Sequence, residues 1–338
     1  MKVTKLLAGF ASMVLVGALA ACGGDDDSSG SPDPSSASGG ELTKVRLAFT
    51  PGATTLQVHL AQTRGIFEKH GLDVEATEGL DLPTWMAGLD KQWDVAMETP
   101  GVFVSGANKL DLVVLAGAQV TTEGSLQSNP LITRDPDIKE PIDLVGKKVG
   151  VATLTGSTPT SLNYLVTQAG GDFSKVDLVQ VGFDQAGDQL KAGAVDAVVS
   201  SIPFADVILQ DPANKALWDP QDRALRMIDP DQAVMASILF TSTRKWADAN
   251  PEAAQAFQDA LAESGEWMDA NEADAKKELS SWLGTPQAAV DAVQWPLPVE
   301  ARITPESLQP VIDLFVAAGV ISKADAPDLS DRFPVPVG

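Results

Sequence analysis

Val45-Arg46-Leu47-Ala48-Phe49, an amphipathic run over residues 54–70, and then Gly71-Leu72-Asp73-Val74-Glu75-Ala76 decide the fold. The first five residues read as a short buried strand, 54–70 as a helix that Gly71 stops, and 72–76 as a second strand. Strands joined through a helix pair in parallel, because only a long crossover returns the chain to the same edge. The pattern continues with helical spacing at 82–91, a strand at 93–97, a helix at 100–108 and a strand at 112–115. A mostly parallel sheet flanked by helices is expected.

A second cycle follows in the same order. Residues 131–134 read as a strand, 143–148 as a turn, 149–152 as a strand leading into a helix at 158–169, then 176–181 as strand, 185–192 as helix, 195–199 as strand and 203–210 as helix. Two stretches align with the first cycle. Lys44-Val45-Arg46-Leu47-Ala48 matches Lys148-Val149-Gly150-Val151-Ala152, and Trp93-Asp94-Val95 matches Val195-Asp196-Ala197. Duplication and the generic likeness of all such units both account for this. Residues 234–241 suit one more strand, and helices are expected at 251–283, 286–293 and 305–318, each opening on a proline. The expected fold class is α/β with two lobes: residues 42–130 and 236–338 form lobe I, 131–235 form lobe II, and the chain crosses between them twice. Two crossings make a hinge beside a cleft.

The amino terminus carries a different signal. Lys2 and Lys5 precede an apolar stretch over 6–19 that is too short to span a membrane, and Leu19-Ala20-Ala21 leads directly into Cys22, the single cysteine of the 338 residues. This resembles a bacterial lipobox. Residues 1–21 are expected to be a signal peptide and Cys22 a lipidated residue holding the protein on the outer face of a membrane through palmitate-type acyl chains; an ordinary secreted protein with a cysteine near the cut is the competing reading. Residues 22–41 are nearly all Gly, Ser, Asp and Pro and read as a flexible tether with an r.m.s. reach on the order of 25 Å.

Composition narrows the function. The formal charge of −22 becomes −24 once Lys2 and Lys5 leave with the signal peptide, which disfavours nucleic acid and anionic lipid as partners. With one cysteine there is no intrachain disulfide, and His59 and His70 are the only histidines, both placed where helix-surface or capping roles fit. No catalytic residue, metal site or cofactor is assigned, and a monomer is expected.

Four motifs carry a family resemblance. They are Arg64-Gly65-Ile66-Phe67-Glu68-Lys69-His70-Gly71-Leu72-Asp73-Val74-Glu75, Leu89-Asp90-Lys91-Gln92-Trp93-Asp94-Val95-Ala96, Asp143-Leu144-Val145-Gly146-Lys147-Lys148-Val149-Gly150 and Leu190-Lys191-Ala192-Gly193-Ala194-Val195-Asp196-Ala197. In this order they resemble the nitrate, sulfonate, taurine and thiamine-precursor class of solute-binding proteins that feed ABC importers. One departure is Gln92-Trp93 where that class usually has a glycine before the Asp. The resemblance implies a periplasmic-binding-protein type II fold, a small organic solute held between the lobes, and an ABC permease with its ATPase as partners. It also permits, by fold alone, an enzyme of thiamine-pyrimidine or menaquinone-precursor metabolism, which the export signal disfavours, or a surface sensor lipoprotein without a transporter.

In open α/β sheets ligands bind beyond the carboxyl ends of the strands, where helix amino termini offer free N–H groups. The loops expected there are rich in hydroxyls: Thr50, Thr54 and Thr55, then Thr99, then Thr155, Ser157 and Thr158, then Ser200. Such groups cap helices or hold a small oxyanion without a counter-charge. No arginine falls among them, which weakens a strongly anionic ligand. Glu98 and Asp184 at the expected loop mouths favour an amine or ring nitrogen, and Trp85 offers a face for a flat ring or cation. Asp94 and Asp196 read as scaffold, bonding backbone amides near the turns they follow.

Overall fold

The computed structural model describes residues 41–122, 129–231 and 234–335. The expected signal peptide, Cys22 and residues 22–40 of the expected tether lie outside them. The chain first builds β1 (Thr43–Phe49), α1 (Leu56–Thr63), α2 (Ile66–Lys69), β2 (Leu72–Glu78), α3 (Leu82–Gly88), β3 (Val95–Glu98), α4 (Pro100–Leu110) and β4 (Leu112–Thr122). It then makes β5 (Leu131–Thr133), β6 (Lys148–Val151), α5 (Ser157–Gln168), β7 (Asp177–Gln180), α6 (Phe183–Lys191), β8 (Ala197–Val199), α7 (Phe204–Leu209), β9 (Lys215–Ala216) and α8 (Pro220–Ile228). It returns through β10 (Val234–Thr243) and ends in α9 (Arg244–Ala249), α10 (Pro251–Ala270), α11 (Glu272–Leu283), α12 (Gln287–Ala292) and α13 (Pro305–Ala317).

Two five-stranded sheets result, ordered β2-β1-β3-β10-β4 and β7-β6-β8-β5-β9. In the first, β10 is antiparallel to both β3 and β4, so four strands run one way and only the returning strand runs against them. In the second, β5 is antiparallel to both β8 and β9 and takes the same place. The reversed strand in each sheet is the one that follows a crossing between sheets. The chain thus enters each sheet once from the other, and the cleft lies beside these two passages.

The sheets share a detail of wiring. Asp94 accepts the backbone N–H of Arg46 at 2.9 Å, and its own N–H donates to the Arg46 carbonyl at 2.8 Å. Asp196 accepts the backbone N–H of Lys148 at 2.7 Å, and its N–H donates to the Lys148 carbonyl at 2.8 Å. Both pairs lie 48 residues apart. Each aspartate therefore ties the entry of one strand to the strand beside it, a longer reach than the turn bonds expected from sequence. Arg46 adds its guanidinium to Asp94, through Nε at 2.9 Å and a second nitrogen at 2.6 Å, which Lys148 does not match.

Several expected helices are broken. Residues 54–70 divide into a 3-10 turn, α1 and α2, and the break between the two helices falls at Gly65, whose φ of +66° is left-handed. The helix expected to reach 91 stops at Gly88, where a Cβ would stand 2.4 Å from the Trp93 ring. Residues 251–283 divide at Asn271, whose φ of −130° leaves the helical region. Three elements carry no counterpart in the sequence reading: α8, α9 and the short β9.

Gly40–Gly338 form one compact unit, and the carboxyl-terminal helices are why. Leu308, Val311, Leu314 and Phe315 of α13 join a core that runs from β1 and β10 into β6 and α5. Met268, Ala275, Leu279 and Val290 of α10, α11 and α12 pack Leu56 and Leu60 of α1 together with Leu190, Ala205 and Ile208 behind the second sheet. Apolar burial on this scale stabilises at about 25 cal/mol per Å² removed from water, and here it also spans the two sheets.

Candidate functional site

The carboxyl ends of β1, β3, β6 and β8 converge on a cavity of about 100 Å³ between the sheets. Thr50, Pro51, Gly52, Thr54 and Thr55 after β1, Met97 and Thr99 at β3, and Ser237 and Ile238 of β10 form one wall. Ala152, Thr153 and Thr158 after β6, Ser201 after β8, Phe183, and Asn129 and Gln221 beside the crossing form the other. None of the lining residues has an ionisable side chain. Leu80 and Leu82 complete the lining; the surface the wall presents is mostly apolar, interrupted by hydroxyl and amide groups, and Phe183 supplies its one aromatic face.

The loops are held by their own chemistry. Thr55 Oγ1 donates to the Thr50 carbonyl at 2.7 Å, folding the 50–55 loop into a cup, whereas Thr50 Oγ1 and Thr99 Oγ1 are buried without a hydrogen-bond partner. Gln221 Nε2 is in the same position on the opposite wall. A buried donor or acceptor without a partner costs about 1–3 kcal/mol, so three of them lining one cavity mark where a ligand would supply the missing bonds.

The amino termini of α4 and α5 meet at the back. Gly101 donates its N–H to Ser157 Oγ at 3.1 Å, and Thr99 Oγ1 stands 3.0 Å from where a Cβ on Gly156 would be. The first N–H groups of α4 are already taken, Gly101 by Ser157 and Val102 and Phe103 by the Thr99 carbonyl, and Pro100 has none, so α4 offers only the partial positive potential of its dipole end, where no side-chain charge exists. Asp219 organises the crossing: almost fully buried, it accepts the Asn129 N–H at 2.9 Å and caps α8 through the N–H groups of Gln221 and Asp222 at 2.9 and 3.2 Å. Desolvation pushes its carboxyl up to about 6 despite those donors.

Of the residues expected from sequence, Thr50, Thr54, Thr55, Thr99 and Thr158 line this cavity. Glu98 lies directly behind, fully buried with neither carboxylate oxygen bonded, and desolvation pushes its carboxyl well above the usual carboxylate range, favouring the uncharged form. Ser157 and Ser200 are buried beside the cavity, the first engaged with Gly101 and the second unpartnered. Thr155 lines an outer groove with Leu80 and Leu154, and Asp184 another with Phe204 and Glu78. Trp85 is buried in the first core, its ring 3.1 Å from where a Gly79 Cβ would be, and the cavity's aromatic face is Phe183 instead. His59 stacks on Trp282 at 4.6 Å and His70 Nε2 lies 3.0 Å from Glu263, both away from the cavity. Ser201 lies in the hydroxyl-rich loop expected after β8, whereas Asn129, Phe183, Gln221, Ser237 and Ile238 were not anticipated. Asp219-Pro220 ahead of Ala224, Leu225 and Ile228 is a recognisable helix start that would have revealed α8 and with it Gln221.

Comparison with known proteins gives a consistent picture. The chain is 27% identical over 239 residues to the formylaminopyrimidine-binding protein of Halalkalibacterium halodurans, covering 68% of this chain and 66% of that protein. It is 34% identical over 148 residues to a putative thiamine biosynthesis protein of Haemophilus influenzae, covering 42% of this chain and 44% of that one. The chain thus spans about two thirds of the length of the first of these curated relatives and under half of the second. In fold it resembles the MOPS-bound alkanesulfonate-binding protein SsuA of Xanthomonas axonopodis pv. citri, with a TM-score of 0.68 at 18% identity over 85% of this chain and 96% of that one. The model of the family described as NMT1/THI5 like matches residues 54–275, most of the described body, and the chain belongs to that family.

Proposed function

We propose that this protein is an extracytoplasmic receptor that captures a small, uncharged, hydrogen-bonding heterocycle of the pyrimidine type between its two lobes and passes it to an ABC importer. The observation that carries the reading is the cavity wall: a mostly apolar surface with one phenyl face, set with hydroxyls and amides and with no ionisable side chain. A sulfonate or nitrate site built for affinity calls for an arginine or lysine, and none lines this one. The name of the formylaminopyrimidine-binding relative points to the same ligand chemistry. The helix starts of α4 and α5 favour partial negative charge on the ligand, which a formyl oxygen or ring nitrogen carries as well as an oxyanion does. Capture needs no bond made or broken; ligand shifts the lobes toward their closed arrangement.

Calorimetric titration with a formylaminopyrimidine, taurine, methanesulfonate and nitrate tests this directly. Saturable binding of the pyrimidine at least tenfold tighter than any anion is expected, and preference for an anion would overturn the ligand class.

The proposed location is the outer face of the membrane, with Cys22 lipidated and residues 22–41 as tether; the sequence Leu19-Ala20-Ala21-Cys22 supports it, and no helix among the described residues is long and apolar enough to cross a membrane. Cys22→Ser should release the protein from the membrane fraction or leave it unprocessed, and unchanged retention of the processed variant would remove the anchor.

A further inference from the structure

Two of the cavity's amides hang on one buried carboxylate. Asp219 holds the backbone of Asn129, where the chain enters the second sheet, and the backbone of Gln221, the second residue of α8. Through these bonds α8 is fixed against the crossing, and the Gln221 side chain is presented to the cavity from a rigid helix start. Its Nε2 is buried and meets no acceptor.

The chemistry of this group differs from that of the hydroxyls that make up most of the polar wall, and of the wall's two carboxamides, Asn129 and Gln221, it is Gln221 whose nitrogen is buried without a partner. Threonine and serine hydroxyls rotate and either donate or accept, so they place little demand on a ligand's polarity, whereas a carboxamide nitrogen only donates. A site that buries a donor rejects a ligand lacking the matching acceptor far more strongly than an apolar wall rejects a wrong shape. The same donor is a burden to the empty protein, because nothing satisfies it there.

Resting on the reading that this cavity holds the solute, we propose that Gln221 is the specificity-determining residue of the site, its Nε2 donating to an uncharged acceptor on the bound molecule, a ring nitrogen or a carbonyl oxygen. Both lobes then contribute adaptable hydroxyls, and lobe II adds the group that selects.

The test uses the wild-type protein, Gln221→Met and Gln221→Glu, titrated with a formylaminopyrimidine and with the corresponding pyrimidine lacking the formyl group. For Gln221→Met, affinity for the formyl compound should fall roughly ten- to hundredfold while the unliganded melting temperature stays equal or rises, opposite directions that a merely structural role does not produce. Gln221→Glu, which removes the donor at nearly constant size, should lose affinity similarly. An equal loss on the unformylated pyrimidine places the acceptor on the ring, a smaller loss there places it on the formyl oxygen, and both support the assignment. Unchanged affinity in either variant, or a Gln221→Met protein whose binding and melting temperature fall together, overturns it. Wild-type protein that binds neither pyrimidine would instead overturn the ligand reading, and the assignment with it.

Discussion

Gly101→Ala is expected to lower the melting temperature and to weaken ligand binding by at least tenfold, although alanine is the better helix former. A Cβ at this position would stand 2.2 Å from the Phe315 ring, 2.8 Å from the Ser157 nitrogen and 2.9 Å from the Gly156 carbonyl carbon. The Phe315 ring is fully buried in the core and has little room to turn aside, and the two backbone atoms cannot move without driving the start of α5 away from the start of α4. Overpacking costs about 1–3 kcal/mol, and with backbone atoms among the contacts the upper part of that range applies, which exceeds the roughly 1 kcal/mol that Gly→Ala returns through helix propensity. At about 2–4 °C per kcal/mol for a body of this size, a loss of several degrees follows. Binding suffers because Thr99 and Thr158, which both line the cavity, sit on the two helix starts being pushed apart. Gly265→Ala in α10 is the control: its Cβ would meet nothing nearer than 3.8 Å, so the helix gain stands and stability should hold or rise. Thermal melts and calorimetric titration of both variants separate the cases. A Gly101→Ala protein as stable as Gly265→Ala, with unchanged affinity, would mean the seam between the helix starts is not as close as described.

Asp94→Ala should cost about 2–3 kcal/mol, and Asp196→Ala only about 1 kcal/mol, although the two residues occupy equivalent places in the two sheets. Removing Asp196 leaves one strand N–H, that of Lys148, without its acceptor. Removing Asp94 strips the N–H of Arg46 and both arms of its guanidinium fork at once, at a carboxylate that is 12% exposed. Charge-assisted, two-armed bonds of this kind are the stronger sort, and the partial exposure of Arg46 keeps the figure below that of a fully buried pair. Denaturant melts of the two variants in parallel measure the difference. Equal losses would show that the fork adds nothing to the backbone bond, and that the duplicated wiring alone sets the energetics.

The comparison of these two aspartates shows what could be read from the chain alone. Trp93-Asp94-Val95 and Val195-Asp196-Ala197 announced matching positions, and local pattern was enough, because strand alternation, glycine stops and turn residues act over a few neighbours. What each aspartate bonds, a strand 48 residues earlier, depends on sheet order and was invisible. The same boundary divides the cavity. Thr50, Thr54, Thr99 and Thr158 were legible because hydroxyl-rich loops after strands follow from the fold class. Gln221 and Asn129 come from α8 and the crossing beside it, and Ser237 from the returning strand β10, whose place next to β3 depends on sheet order that no local pattern reveals. Trp85 was expected at a pocket for its chemistry, but an amphipathic helix turns its largest apolar residue inward, and it lies 4% exposed in the core. Breaks in long helices were hidden for a related reason: Gly65 is tolerable within a helix by propensity, and it is the packing of Arg64 at 3.3 Å over the Trp267 ring that accompanies the turn there.

The most direct measurement is a crystal structure of the protein grown with a formylaminopyrimidine. The account predicts ring density between Phe183 and Met97, with polar atoms within hydrogen-bond distance of Thr50 Oγ1, Thr99 Oγ1 and Gln221 Nε2, the three cavity-lining groups that no protein group satisfies. Ligand density in the outer groove at Asp184 and Phe204, with those three groups still unpartnered, would contradict it.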